Sequence, residues 1–106
     1  MVESYLAKKG YDVIERNYRN KTGEIDLIAL SPKHDELVFI EVKTRKSSVF
    51  GHPEEAVDFR KLKKIEKTAL FWLQENPAYH RSWRIDILAL EIGEKTKITH
   101  LENVTL

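Results

Sequence analysis

The sequence predicts an α/β fold: a mixed sheet of about five strands, with a short helix ahead of it and one long crossover helix within it. Two runs, Glu24 to Leu30 (EIDLIAL) and Leu37 to Lys43 (LVFIEVK), are strongly β-like and flank a Pro- and Asp-bearing connection. After them, Val57, Leu62, Ile65, Ala69, Trp72 and Leu73 recur at helical spacing. Two further β-like runs then follow. A helix of that length can carry the chain back over the sheet, so that the fourth strand runs parallel to one of the first three.

Taken in order, Met1 to Lys9 reads as a short helix that stops at Gly10. Asp12 to Tyr18 (DVIERNY) is a first strand, and Thr22-Gly23 is the turn into the second. Ser31 to Glu36 (SPKHDE) reverses the chain, making a hairpin of the second and third strands. Ser47 to His52 is a loop, and Pro53 suits the first position of the long helix, where a proline lacks only a dispensable N–H. That helix ends near Asn76-Pro77. Trp83 to Ile92 is the fourth strand, Gly93 to Lys95 a turn and Lys97 to Val104 the last strand.

A chain of 106 residues is the size of one domain, so residues 1–106 are read as a single unit with one modest core. Its 42% apolar and 33% charged residues are those of a folded globular protein. No cysteine is present, which excludes disulfides and thiolate metal sites and suits the cytoplasm, the expected compartment. No apolar run approaches the ~20 residues of a membrane span, so no membrane partner is expected. The net charge of +1 excludes a crude polybasic binder but leaves local clustering open.

Chemistry enters through strand alternation. Period two puts Ile25, Leu27 and Ala29 on one face of the second strand, and Val38, Ile40 and Val42 on one face of the third. Burying both sets together turns Glu24, Asp26, Glu41 and Lys43 to a common opposite face, since a one-residue slip would expose an apolar set. If Ser31 pairs with Glu36, Asp26 falls opposite Glu41 and Glu24 opposite Lys43, with Cβ atoms ~4.5–5.5 Å apart. Carboxylates that close repel unless a cation lies between them, and Mg²⁺ and Mn²⁺ prefer oxygen ligands of this kind. Lys43 is then placed to hold a phosphate or an attacking water. The bland alternative is a solvated sheet face with a Glu24–Lys43 ion pair. Leu30, Leu37 and Phe39 continue the same face as apolar residues, which makes stray carboxylates there costly.

Gly23-Glu24-Ile25-Asp26-Leu27-Ile28-Ala29 and Phe39-Ile40-Glu41-Val42-Lys43-Thr44-Arg45 together resemble the YraN family of bacterial proteins. The likeness continues through Phe50 to Val57 (FGHPEEAV), Lys61 and Arg84-Ile85-Asp86-Ile87. That family belongs to the restriction-endonuclease-like, PD-(D/E)xK superfamily and is similar to archaeal Holliday-junction resolvases. The resemblance implies a restriction-endonuclease-like sheet, with Asp26, Glu41 and Lys43 in the superfamily's catalytic roles and Glu24 as a fourth acidic member. The metal ligands it implies are Asp26, Glu41 and Glu24, holding Mg²⁺ or Mn²⁺. The family's Gly-Glu pair, ahead of its Tyr-Leu (here Tyr5-Leu6), aligns before Met1, so the expected affinity is weak, on the order of millimolar.

Lys43, Arg45 and Lys46 crowd the end of the third strand, and Arg60, Lys61, Lys63, Lys64 and Lys67 line the start of the long helix. Beside a carboxylate–lysine site these cations are the footprint of phosphate-backbone binding, with Arg16, Arg19 and Lys21, on and after the first strand, as its extension. The expected partner is therefore nucleic acid, with DNA as substrate, and a homodimer is left open. Arg84 and Asp86 share a strand face as a structural ion pair. Four scattered histidines (His34, His52, His80, His100) show no ligand spacing and are read as non-functional. Trp72 belongs to the helix's apolar stripe. The reading is a metal-dependent endonuclease cutting phosphodiester bonds in branched or single-stranded DNA. The alternative is a non-cleaving nucleic-acid-binding or adaptor module that keeps the nuclease fold.

Overall fold

The computed structural model describes residues 1–33, 35–46, 58–79 and 81–104. Helix α1 (Val2–Lys8) leads into strands β1 (Asp12–Asn20), β2 (Gly23–Leu30) and β3 (Glu36–Lys46). Helix α2 (Phe59–Glu75) and a 3₁₀ turn (Pro77–Tyr79) precede β4 (Ser82–Ile92) and β5 (Lys97–Leu101). The sheet order is β1-β2-β3-β4-β5. All neighbours are antiparallel except β3 and β4, whose parallel ladder runs from Glu36↔Ser82 to Lys46↔Ile92. The mixed sheet, short first helix and long crossover helix are those that the sequence predicts.

Gly10 ends the first helical segment with a φ of 88°, a conformation that favours glycine. Helix α2 begins at an Asp58 cap, whose carboxylate accepts the Arg60 N–H at 2.9 Å. The described helix therefore starts later than the expected Pro53. Pro53, Val57 and the 47–52 loop lie outside the described residues. At the other end the Asn76 side chain donates to the Trp72 carbonyl at 2.8 Å, and Pro77 halts the helix.

Both faces of the sheet are covered, where the sequence suggested one. Leu62, Ile65, Ala69 and Trp72 of α2 pack on Ile25, Ile28, Leu30, Leu37, Phe39 and Ile85. On the other side Leu6 and Tyr11 close over Leu27, Ala29, Val38, Ile40, Leu88 and Leu90. Burial of this kind stabilises by ~25 cal/mol per Å² of apolar surface, which is why the strand pairs with two apolar faces hold the centre of the sheet. Tyr11 is mostly enclosed, and burial pushes its phenol up to about 12.

The alternation of β2 breaks at Asp26. Ile25 belongs to the cluster under α2, while Leu27, two residues on, belongs to the cluster under α1. The expected Ile25–Leu27–Ala29 face is thus only Leu27 and Ala29. The cause lies in the neighbouring strand. β1 shifts register between Val13 and Glu15, and Asn17, between the pairs Arg16↔Leu27 and Tyr18↔Ile25, has a φ of 52°. A bulge and a left-handed residue twist the hairpin and turn its outer end over. That outer end is fastened to α2. Gly23, with a φ of 151°, leaves only 3.2 Å from a would-be Cβ to Thr68 Oγ1. The Thr22 and Thr68 hydroxyls lie 2.9 Å apart, and Trp72 Nε1 donates to Glu15 at 2.8 Å.

Candidate active site

β2 and β3 pair in the expected register, from Leu30↔Leu37 to Leu27↔Ile40, with Ser31 N–H donating to the Glu36 carbonyl at 2.9 Å. There the ladder ends, one step before Asp26 and Glu41. From Glu41 onward β3 pairs with β4 alone. Its other edge is open, and Asp26 fills the opening with a side chain: Oδ2 accepts the Val42 N–H at 2.7 Å. One backbone donor that the ladder would have used is thereby satisfied by a carboxylate.

Glu41 and Lys43 continue the face of Leu37 and Phe39, toward α2. Lys43 Nζ lies 3.4 Å from Glu41 Oε1, with both side chains about one-fifth exposed. From the first turn of α2, Lys61 comes beside the same pair, close enough to act on Lys43 and to be acted on by Glu41. Lys61 is the chief reason that Lys43 is held below the ordinary lysine value, with burial second and Glu41 opposing. Lys61 is shifted upward, with Lys43 the first cause and Glu41 the second. Two lysines thus stand beside the single carboxylate of Glu41.

The four expected residues do not share one face. Glu24, with its carboxylate on Arg19 at 2.8 Å, makes no pair with Lys43; both partners are exposed. Asp26 sits at the break and lines a hollow of about 370 Å³ toward α1, with Glu3, Arg16, Asn17 and Val42 among its walls. Glu3 was not singled out in the sequence. Arg16 donates to both of its oxygens, at 2.6 to 2.9 Å, and this holds it below the usual carboxylate range. A pattern search could have found it only by placing α1 against β1. Of the expected phosphate contacts, Lys46, Arg60, Lys61 and Lys64 are exposed, Arg45 is half-buried, and Arg19 is engaged by Glu24.

A second charged group lies under α1. Arg84 donates to Asp86 at 3.0 Å, to Glu36 at 2.7 Å and to the Tyr11 hydroxyl at 2.8 Å. Asp86 is fully buried; it also accepts from His100 Nε2 at 2.7 Å and the Asn103 N–H at 2.9 Å. Burial alone would push Asp86 up, yet these hydrogen bonds carry it below the usual carboxylate value. Burial likewise opposes the charge on Arg84, but Asp86 and Glu36 hold it above the ordinary arginine value. The Arg84–Asp86 ion pair is as expected. Of the four histidines read as non-functional, His100 joins this network through its ring; its place beside Asp86 follows from the Leu88↔His100 register. His34, His52 and His80 lie outside the described residues.

Among the described residues, Asp86, His100 and Glu102 are a trio whose donor atoms lie within 4.8 Å of one another, close enough to hold one ion. Arg84 stands among them, 3.4 Å from Glu102 Oε1, and supplies positive charge there already. Glu24, Asp26 and Glu41 do not make such a trio. No helix among the described residues is long and apolar enough to cross a membrane.

Residues 1–90 match the family described as uncharacterised protein family UPF0102. A UPF0102 protein of Syntrophomonas wolfei is 40% identical over 104 residues, covering 97% of this chain and 89% of that protein. One from Pelobacter propionicus is 42% identical over 102 residues, covering 94% and 73%. One from Rhodococcus opacus is 41% identical over 101 residues, covering 93% and 84%. Among solved structures, that of Pyrococcus furiosus SfsA in complex with Ca²⁺ aligns with 99% of this chain and 60% of that one, at 11% identity and a TM-score of 0.31.

Proposed function

The chain belongs to the UPF0102 family, and on that premise we propose that it is a magnesium- or manganese-dependent endonuclease domain, spanning residues 1–106, that hydrolyses phosphodiester bonds in DNA. The observation that carries the reading is the Lys43 amine set between Glu41 and Lys61, at the open end of the β2–β3 ladder. Two amines against one carboxylate leave room for an anion, and a phosphodiester is an anion. Lys61 binds a phosphate oxygen. Lys43, beside Glu41, holds the phosphate or orients the attacking water. Asp26 and Glu41 flank Val42 as oxygen donors, the ligand type that Mg²⁺ and Mn²⁺ take, and Glu24 is the outlying acidic member. A divalent ion bound there would neutralise charge building on the phosphate and acidify its bound water.

A second reading, a nucleic-acid-binding module that does not cut, is favoured by one fact. Asp26 spends an oxygen on the Val42 N–H and does not gather with Glu24 and Glu41. Cleavage of plasmid, single-stranded, flapped and four-way-junction DNA with Mg²⁺ or Mn²⁺ separates the two. Cutting that falls by roughly 10²–10³ in Lys43→Ala, the scale for losing one group that stabilises transition-state charge, supports the nuclease. Salt-sensitive binding with no cutting of any substrate selects the module.

A further inference from the structure

Helix α2 spends Leu62, Ile65, Thr68, Ala69 and Trp72 on the core. Its outward side nonetheless carries Phe59, Leu70 and Phe71, exposed by 62%, 50% and 49%. Leu70 and Phe71 share a shallow hollow with Lys67 and Gln74. Apolar side chains left in water this way mark a contact surface more often than chance scatter does when they adjoin one another. The cations on the same side, Arg60, Lys63, Lys64 and Lys67, have no described carboxylate within ion-pair distance.

We propose that this side of α2 is a platform for single-stranded nucleic acid, with bases stacked on Phe71 and against Leu70 while Lys63, Lys64 and Lys67 meet the phosphates. Charge selects the occupant. A second copy of the chain would bring two sets of lysines face to face, which costs several kcal/mol. A duplex would satisfy the lysines but hides its base faces, so Leu70 and Phe71 would gain nothing. A single strand offers both phosphates and bare base planes, and stacking on an aromatic side chain tolerates any base. Position supports the same occupant. The helix turn that bears Lys61 is the one that reaches Lys43, and at ~1.5 Å per residue Phe71 lies ~15 Å further along α2. A strand held on the platform would run from the Lys43 site. Only that last step rests on the nuclease reading.

The test is fluorescence anisotropy with a labelled oligo-dT and a duplex of equal length, in EDTA, so that binding is read apart from cutting. Wild type should bind the single strand more tightly than the duplex. Phe71→Ala should weaken single-strand binding roughly tenfold, the scale of one base–aromatic stack, and leave duplex binding unchanged. Phe71→Leu, which keeps apolar area without a ring, should weaken it nearly as much. Lys67→Ala should lower the slope of log K against log salt by about 0.7. Equal affinity for both nucleic acids, or indifference to Phe71→Ala, overturns the platform. A dimer in sedimentation that Phe71→Glu dissociates also overturns it and assigns the face to a second copy. Single-strand binding through Phe71 without any cleavage would sink the nuclease reading alone.

Discussion

The two charged centres are built in opposite ways. Around Arg84, one guanidinium meets Asp86, Glu36 and Glu102, and His100 and the Asn103 amide complete Asp86. That network is centred on the buried Asp86 and reaches solvent chiefly at Glu102. Around Lys43, two amines share one carboxylate, and the group is partly open to solvent. A closed network holds the fold, because removing any member leaves a partner desolvated and unpaired. An open one has spare charge for something that arrives from outside. On the proposed reading the Lys43 side is the place for a ligand, although the Arg84 side holds the tighter geometry.

The contrast can be broken most directly by Asp86→Ala. It strands the Arg84 charge, and losing one partner of a buried pair typically costs about 3–5 kcal/mol, readable by urea denaturation. A variant as stable as wild type would mean that the network is not structural. The same residue sets an acid limit. The folded value of Asp86 lies below the unfolded one, so its stabilisation is complete above the ordinary carboxylate range, ~3.9, and fades as pH falls through the folded value. Denaturation midpoints should drop below about pH 4, and the drop should be smaller in Asp86→Asn.

A smaller effect separates the centres by metal. Mn²⁺ at ten times its dissociation constant should stabilise the chain by roughly 1.4 kcal/mol, seen as a raised Tm. Asp26→Asn should cancel that gain if the ion sits by Glu41. If His100→Ala cancels it instead, the ion sits with Asp86 and Glu102, and the assignment of the two centres is reversed. The smallest effect is electrostatic. Lys61 is the first cause of the lowered Lys43 value, so Lys61→Met should move proton loss from Lys43 to higher pH, toward the ordinary ~10.4. In the pH profile of cleavage the rising limb should shift up with it. An unmoved limb would show that another group titrates.

The β2–β3 register was legible because the loop from Ser31 to Glu36 and two apolar stripes agree on one answer. Glu41 and Lys43 were therefore placed correctly relative to each other; the inward stripe of α2 is also plain in the sequence, but not that it packs on the face these two share. The break at Asp26 was not legible. It depends on the bulge after Val13 and the left-handed Asn17, neither of which an alternating pattern announces. His100 was missed for a related reason: its partner Asp86 becomes visible only once β4 and β5 are set in register. The start of α2 was read from Pro53, while the described helix takes its first cap from Asp58, a residue equally suited to the task.

The short β2–β3 ladder also bears on synthesis of the chain. The half of β3 that carries Glu41 and Lys43 has no partner in β2; its rungs all come from β4, beginning with Glu41↔Ile87. A chain emerging from the ribosome has its hairpin early, but those rungs require a stretch made much later, after α2. Contacts so distant in sequence form slowly and late. The half-made protein thus holds the residues of the site on an unsupported strand end, and whatever the site does begins only when the fourth strand has arrived.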